Sequence, residues 1–180
     1  MDKKILMNEQ LMSITLQRLC RQLIENHNDF SKSVIIGLQP RGIAMARRIQ
    51  QLLEESGVKK LRFGSLDITF FRDDFRMHAK PLKANETRID FVVEQQRVIF
   101  VDDVLYTGRS VRAAMDAIQS FGRPSQIELM VLIDRRFSRQ LPIQATYIGR
   151  PVDAIASERV IVEWKEENEK DQVIIIRHEG

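Results

Sequence analysis

Asp102 and Asp103 stand together a few residues ahead of Thr107-Gly108-Arg109-Ser110, and the two groups suit opposite halves of one small ligand. Val98 to Val101 read as a buried strand, and a helix begins just after Ser110. The acids therefore sit at the C-terminal end of a strand, where ligands bind in open α/β sheets. Thr107 to Ser110 form the loop into the helix N-terminus. There, free backbone N–H groups and the helix dipole favour a phosphate, the Thr and Ser hydroxyls add hydrogen bonds, and Gly108 lets the backbone approach closely. Carboxylates are poor phosphate ligands but good acceptors for vicinal hydroxyls. A ribose 5-phosphate satisfies both ends, with its phosphate on the helix and its 2- and 3-hydroxyls on the acids. The competing reading is a plain helix cap, with solvated acids and Thr107 capping the helix. Spacing alone leaves both open.

The surrounding elements must deliver this turn to a cleft. Glu9 to Asn26 carries apolar residues at Met12, Leu16, Leu19, Cys20, Leu23 and Ile24, one face of a helix, with Asn8 as its N-cap. Val34 to Leu38 is short, apolar and β-branched at its start, the pattern of a buried parallel strand. Residues 42–56 return to helical spacing and stop at Gly57. Leu61 to Phe70 reads as a strand. Phe71 to Arg88 loses all period and holds Pro81, a length of loop that in a compact domain suggests a lid. Arg97 to Val101 is the next strand. Val111, Ala114, Met115, Ile118 and Phe121 form a helix face closed by Gly122 and Pro124, and Ile127 to Ile133 is a further buried strand. Shorter strand-like runs follow at 145–149, 159–163 and 172–176. Alternating strands and helices over 34–133 predict an α/β fold, a mainly parallel sheet flanked by helices. The late β pieces, with the 61–90 region, are expected to form a small antiparallel lobe or an edge.

Bulk properties restrict the setting. The chain has 180 residues, 43% hydrophobic and 29% charged, which suits a single domain spanning 1–180 with one core. Its single cysteine, Cys20, excludes an internal disulfide and suits a reducing, cytoplasmic compartment. The apolar run Ile5 to Met7 is too short for a signal-peptide core, and no stretch approaches a membrane span. A net charge of +3 permits an anionic partner, whether a small phosphorylated ligand or RNA, without demanding one.

The full string Val101-Asp-Asp-Val-Leu-Tyr-Thr-Gly-Arg-Ser110 resembles the 5-phosphoribosyl pyrophosphate motif of type I phosphoribosyltransferases. Its continuation Val111-Arg-Ala-Ala-Met-Asp-Ala-Ile118 resembles one family, the bifunctional pyrimidine operon attenuator/uracil phosphoribosyltransferases of PyrR type. Four further stretches are similar to that family, in order: Arg41-Gly-Ile with Ala46-Arg-Arg48; Leu66-Asp-Ile-Thr-Phe-Phe-Arg-Asp-Asp74; Phe121-Gly-Arg-Pro124; and Val131-Leu-Ile-Asp-Arg135 with Leu141-Pro-Ile143. The resemblance implies the type I phosphoribosyltransferase fold with a β-rich hood, a flexible lid at about 71–88, and homo-oligomers, dimeric or tetrameric. It implies transfer of a ribosyl phosphate from 5-phosphoribosyl pyrophosphate to uracil, giving UMP, with Mg²⁺ carried by the substrate.

Residue by residue, the resemblance makes Gln39-Pro40-Arg41-Gly42 the pyrophosphate loop, with Pro40 where the family usually has threonine, preceding a peptide that tends to be non-standard. The catalytic set it implies is Arg41, Arg72, Asp102 and Asp103. Nucleotide binding falls to Pro40, Arg41, Gly42, then Asp102, Asp103, Val104, Leu105, Tyr106, Thr107, Gly108, Arg109 and Ser110, with Arg135 on pyrophosphate. Asp134 would hold a water on Mg²⁺, a hard cation bound through few carboxylates plus ligand phosphates; a surface ion pair of Asp134 with Arg135 is the alternative. Arg72, Arg76, Lys80, Lys83 and Arg88 outnumber Asp73, Asp74 and Glu86 in the lid, which suits closure over a polyanion. Purine enzymes of this class carry an acid where Tyr106 stands, so the tyrosine points to a pyrimidine.

The family's RNA-facing positions are altered: its Thr-Arg pair falls on Gln17-Arg18, its histidine on Arg21, and its Asp-Arg-Gly-His-Arg-Glu stretch reads Asp134-Arg-Arg-Phe-Ser-Arg-Gln140, one residue longer. Arg18, Arg21, Arg136 and Arg139 keep the positive charge that leader mRNA would need, although a solvated helix face explains Arg18 and Arg21 equally. Besides the transferase, two alternatives stand: a non-catalytic nucleotide-sensing RNA-binding attenuator, and a phosphoribosyltransferase for another base. His27, His78 and His178 are scattered and suggest no metal site; Trp164 reads as packing.

Overall fold

A computed structural model describes residues 2–73 and 83–177. Its elements are β1 (Asp2–Met7), α1 (Glu9–His27), β2 (Ser33–Gln39), α2 (Ile43–Glu55), β3 (Arg62–Asp67), β4 (Arg97–Leu105), α3 (Arg109–Ile118), β5 (Gln126–Arg136), β6 (Tyr147–Asp153), β7 (Glu158–Glu163) and β8 (Gln172–Arg177). Single 3₁₀ turns lie at Thr69–Phe71 and Gln119–Phe121.

Five strands run parallel in one sheet, in the order β3-β2-β4-β5-β6. Their side chains alternate between faces, as a pleated strand requires. Ile35, Ile99 and Val101 pack with Met45, Ala46, Ile49 and Leu53 of α2 and with Leu16, Leu19 and Leu23 of α1. Their neighbours Val34, Ile36, Val98 and Phe100 pack on the other face with Val111, Ala114, Ala117 and Ile118 of α3. The chain moves outward from β2 to β3 and in the opposite direction from β4 to β6. Right-handed crossovers then put α2 and α3 on opposite faces and open a crevice between the C-terminal ends of β2 and β4. That crevice is where the Asp102 motif had to arrive.

β1, β8 and β7 form a separate antiparallel sheet, whose Met7, Val160, Val162, Val173 and Ile175 join the core on the α1–α2 side. This is the small β-rich hood. The sequence reading anticipated its later strands but not β1, and it grouped the 61–90 region with them. Of the two expected arrangements, lobe or edge, β3 takes the second as an edge of the main sheet, and the run expected at 145–149 is β6, Tyr147–Asp153, its other edge. The strand expected to reach Phe70 ends at Asp67 for a local reason. Asp67 Oδ1 accepts hydrogen bonds from the Thr69 N–H (3.0 Å) and the Thr69 hydroxyl (2.6 Å), which bends the chain off the sheet. The lid expectation falls partly on residues 74–82, outside the described residues, together with Arg76, Lys80 and His78. Ser65 and Arg88 form a two-sided backbone bridge that returns the segment to β3.

Candidate active site

The loop after β2 and the loop after β4 meet across the crevice, and Gly42 is the contact between them. A Cβ on Gly42 would lie 2.3 Å from the Val101 carbonyl oxygen and 2.8 Å from the Asp102 Cα. Only glycine lets the start of α2 seat against β4 at the acid pair. Gly42 donates to the Leu38 carbonyl (2.7 Å), and no side chain caps α2. The Gln39–Pro40 peptide is cis, one peptide ahead of the Pro40–Arg41 link where non-standard geometry was expected. Arg41 points its guanidinium at Asp103, Nε to Oδ2 at 3.3 Å, while its side chain stays 58% exposed.

Asp102 and Asp103 are not solvated, as the helix-cap reading required: they are 7% and 4% exposed. β4 runs on to Leu105 because Asp102, Val104 and Leu105 keep their partners Val131, Ile133 and Asp134 on β5. The acids therefore sit inside the final stretch of the strand. Asp102 Oδ1 accepts from the Asp103 N–H (2.9 Å), and Asp103 Oδ1 from the Val104 N–H (2.7 Å). Burial, then the neighbouring Asp103 carboxylate, pushes Asp102 well above the ordinary carboxylate range. Burial also raises Asp103, with the Arg41 guanidinium pulling against it. A buried pair of acids is matched to ligand hydroxyls, which offer the hydrogen bonds that water no longer supplies.

Beyond the acids, Gly108 takes φ +92° and is the N-cap of α3 without a side-chain cap. Thr107 is thus not the cap, although its hydroxyl accepts from the Arg109 N–H at 3.3 Å. The first-turn N–H groups of Ser110 and Val111 have no intrahelical acceptor by construction. A cavity of about 330 Å³ is lined by Arg72, Asp102 and the stretch Val104 to Val111. It unites the expected ribose and phosphate ends with Arg72 near the start of the expected lid. The Arg109 guanidinium is engaged by Asp73 and by Gln140 (2.7 Å). With Arg112 also 3.7 Å from Asp73, helix α3 tethers the start of the lid through a carboxylate that the sequence reading gave no such part.

Tyr106 is 41% exposed, and the Arg135 guanidinium lies 4.0 Å from its ring centre. Arg135 itself is 5% exposed and donates to the hood carbonyls of Ile155 (3.2 Å) and Glu158 (3.1 Å). Its partners within the chain are these carbonyls and the Tyr106 ring. Asp134 pairs with Arg139 at 2.6 Å rather than with Arg135, and the pair is largely buried. Arg139 also donates to the Tyr106 carbonyl (2.6 Å), which fixes the turn between acids and phosphate loop. Tyr106 borders a second cavity of about 560 Å³, lined further by Phe137, Ser138, Gln140 and residues 153–156, which lead from the end of β6 toward the hood. The resemblance already singles out the stretch Asp134 to Gln140, which supplies Phe137, Ser138 and Gln140; only residues 153–156 went unread in the sequence.

The four arginines expected to face RNA divide in two. Arg18 and Arg21 lie exposed on α1, where Arg18 donates to the Gly149 carbonyl (2.5 Å). Arg136 is held by Asp153 through two bonds (2.6 and 2.9 Å), and Arg139 by Asp134. Trp164 is buried, as packing requires, with the Arg48 guanidinium 4.8 Å from its ring centre. His27 is buried between Ser33 and Glu128 at the opposite end of the sheet.

Residues 3–164 match the family described as the phosphoribosyl transferase domain. The chain is 39% identical over 178 residues to the bifunctional protein PyrR of Bacillus mycoides (strain KBAB4), covering 97% of each chain. The same identity and coverage hold for the bifunctional protein PyrR of Bacillus cereus (strain B4264). Among solved structures, the hypoxanthine phosphoribosyltransferase of Trypanosoma cruzi superposes with a TM-score of 0.73 at 16% identity, over 98% of this chain and 97% of that one. A hypoxanthine phosphoribosyltransferase from Staphylococcus aureus gives 0.70 at 16%, over 97% and 92%. At that identity the structures speak for the fold alone.

Proposed function

The chain belongs to the phosphoribosyl transferase domain family, in its bifunctional PyrR branch, and from that premise we propose that it transfers a ribosyl phosphate from 5-phosphoribosyl pyrophosphate to uracil, giving UMP and pyrophosphate. The observation that carries this reading is the single cavity joining Asp102, the uncapped N-terminus of α3 and Arg72, set beside the Gln39–Gly42 loop. The 5-phosphate sits on the first turn of α3. Asp102 and Asp103 hold the ribose hydroxyls, and Arg41, with Arg72, takes the departing pyrophosphate. The uracil ring nitrogen displaces pyrophosphate at C1 of the ribose through a transition state with oxocarbenium character, and the nitrogen's proton passes to solvent. Catalysis then rests on positioning and charge stabilisation.

Among the described residues, no group of three or more His, Cys, Asp or Glu side chains is arranged to hold a metal, and Asp134 is already engaged by Arg139. Such a donor set fits a Mg²⁺ that arrives on the substrate's phosphates. When bound, the ion neutralises charge on pyrophosphate. Tyr106 in place of an acid favours a pyrimidine. The test is pyrophosphate release with Mg²⁺, 5-phosphoribosyl pyrophosphate and each base in turn. Turnover with hypoxanthine or guanine and none with uracil would sink the reading.

A second function, UMP-dependent binding of leader mRNA, is supported by Arg18 and Arg21. Both are exposed one helical turn apart, and among the described residues neither has a carboxylate partner. Arg136 and Arg139, each neutralised by an aspartate, contribute less. Titration with the operon's own leader RNA decides it: binding that UMP does not strengthen removes this function.

A further inference from the structure

The 3₁₀ turn Thr69–Phe71, which leads to Arg72 and Asp73, buries none of its side chains, and Phe70 and Phe71 remain about half exposed. Apolar burial therefore does not fix the chain here as it fixes a core strand. Polar contacts take its place. The Asp73 carboxylate pairs with Arg109, the first residue of α3, and lies 3.7 Å from Arg112 one turn further on. Arg109 Nε donates to Gln140 Oε1 (2.7 Å), and the Gln140 N–H donates to the Thr107 carbonyl (3.0 Å). One carboxylate thus ties residue 73 to the turn on which a phosphate is expected, at the helix end where the dipole favours it. Arg72 stands directly before it in extended backbone (φ −72°, ψ 138°), where successive side chains point to opposite sides. Its side chain lines the cavity with Asp102 and residues 104–111.

Resting on the transferase reading, we infer that Asp73 is a positioning residue: by gripping Arg109 and Arg112 it fixes the backbone from which Arg72 reaches the pyrophosphate of the substrate. Adjacent Cα atoms lie about 3.8 Å apart, so an anchor at Asp73 sets where the Arg72 side chain starts. The sign of the charge separates this role from a plain electrostatic one. A carboxylate beside the phosphate-binding turn repels every phosphorylated ligand, so by charge alone its removal tightens them all. Loss of position acts the other way, and only on ligands that carry pyrophosphate. Both ion pairs are partly exposed, and pairs of that kind add little to folding stability. The contribution of Asp73 is to binding.

The test titrates the full chain calorimetrically, in Mg²⁺, with 5-phosphoribosyl pyrophosphate and with UMP, which carries no pyrophosphate. Asp73→Asn is expected to weaken 5-phosphoribosyl pyrophosphate about tenfold or more, the range of one charge-assisted contact, while UMP stays within about twofold or tightens. Asp73→Glu, which keeps the charge that grips Arg109, retains most of the affinity. In an Arg72→Ala background Asp73→Asn costs nothing further, because the side chain it positions is gone. In turnover, Asp73→Asn raises KM for 5-phosphoribosyl pyrophosphate and leaves KM for uracil unchanged. The melting temperature stays within about 2 °C of wild type. Tightening of both ligands overturns the inference, as does parallel weakening of both, unchanged binding of 5-phosphoribosyl pyrophosphate, or a loss that adds to that of Arg72→Ala. A wild type that binds 5-phosphoribosyl pyrophosphate but does not convert uracil removes the transferase reading and leaves the Asp73 comparison intact.

Discussion

At Gly42 a hydrogen atom does the work of holding two loops together. Gly42→Ala places a methyl group against the Val101 carbonyl and must lift the pyrophosphate loop from β4. We expect kcat/KM to fall at least about 100-fold, because positioning is lost, with a stability cost of about 1–3 kcal/mol. Steady-state rates beside a denaturant melt separate the two. Asp102 gives the opposite trade. Its raised pKa means the folded chain binds more protons than the unfolded one above the ordinary value of 3.8, so the acid subtracts stability as pH rises through the raised range. Asp102→Asn is therefore expected to raise the neutral-pH melting temperature, by about 2 °C or more if ~1 kcal/mol is recovered, and to abolish most turnover. A lower melting temperature at pH 7 would contradict this. The acids were legible because all their partners lie within a few residues: strand, carboxylates, glycine and helix start are contiguous. Arg135 and Asp134 were not, since their partners at Ile155, Glu158 and Arg139 are chosen by how the hood and the following loop pack.

Among the elements, α1 is fastened at its far end by a buried polar group that no motif announces. His27 meets Ser33 Oγ (2.6 Å) and Glu128 Oε2 (2.8 Å), and Glu128 is further held by Tyr147 (2.8 Å) and Arg97 (2.7 Å). One histidine thus ties α1 to β2 and β5. Burial lowers its pKa below 6.5, outweighing the pull of Glu128. Below pH 6.5 the unfolded chain binds the extra proton, so stability is complete above that pH and declines beneath it. Glu128, held below its ordinary 4.5 by Arg97, Tyr147 and His27 despite burial, extends the decline to lower pH. His27→Ala should cost about 2–3 kcal/mol at pH 7.5 and remove the part of the decline between pH 6.5 and 5. Denaturant melts across that range check it. The helices and the strands β2, β3, β4 and β5 were readable because their apolar patterns are strong. β1 was not: its first four residues are exposed, two are lysines, and its strand character comes from pairing with β8. β6 was misplaced because Gly149 and Pro151 are poor strand residues that sit at a sheet edge, where they are tolerated.

For the molecule as a whole, the hood must stay registered to the sheet that carries the crevice. Arg48 supplies much of that registration. It reaches from α2 to Asp171 (2.7 and 2.8 Å) and Glu166 (2.9 and 2.7 Å), and covers the Trp164 ring. Arg48→Ala strips Asp171 of its charge partner and uncovers the indole. We expect a loss of about 2 kcal/mol or more and a melting temperature lower by about 4–8 °C. Differential scanning calorimetry checks this, and an unchanged melting temperature would show that the hood docks without the arginine.

The pairing of β1 with β8 also sets an order of manufacture. During synthesis β1 emerges long before β8, the strand it pairs with, so its backbone waits for roughly 10–30 s at typical elongation rates. The turn at Asp102–Ser110 leaves the ribosome well before the hood can close above it. An unpaired edge held open that long is a template for the wrong neighbour. The two lysines and the outward Asp2 on β1 then have a use unrelated to the finished molecule: they keep the waiting strand solvated until β8 arrives.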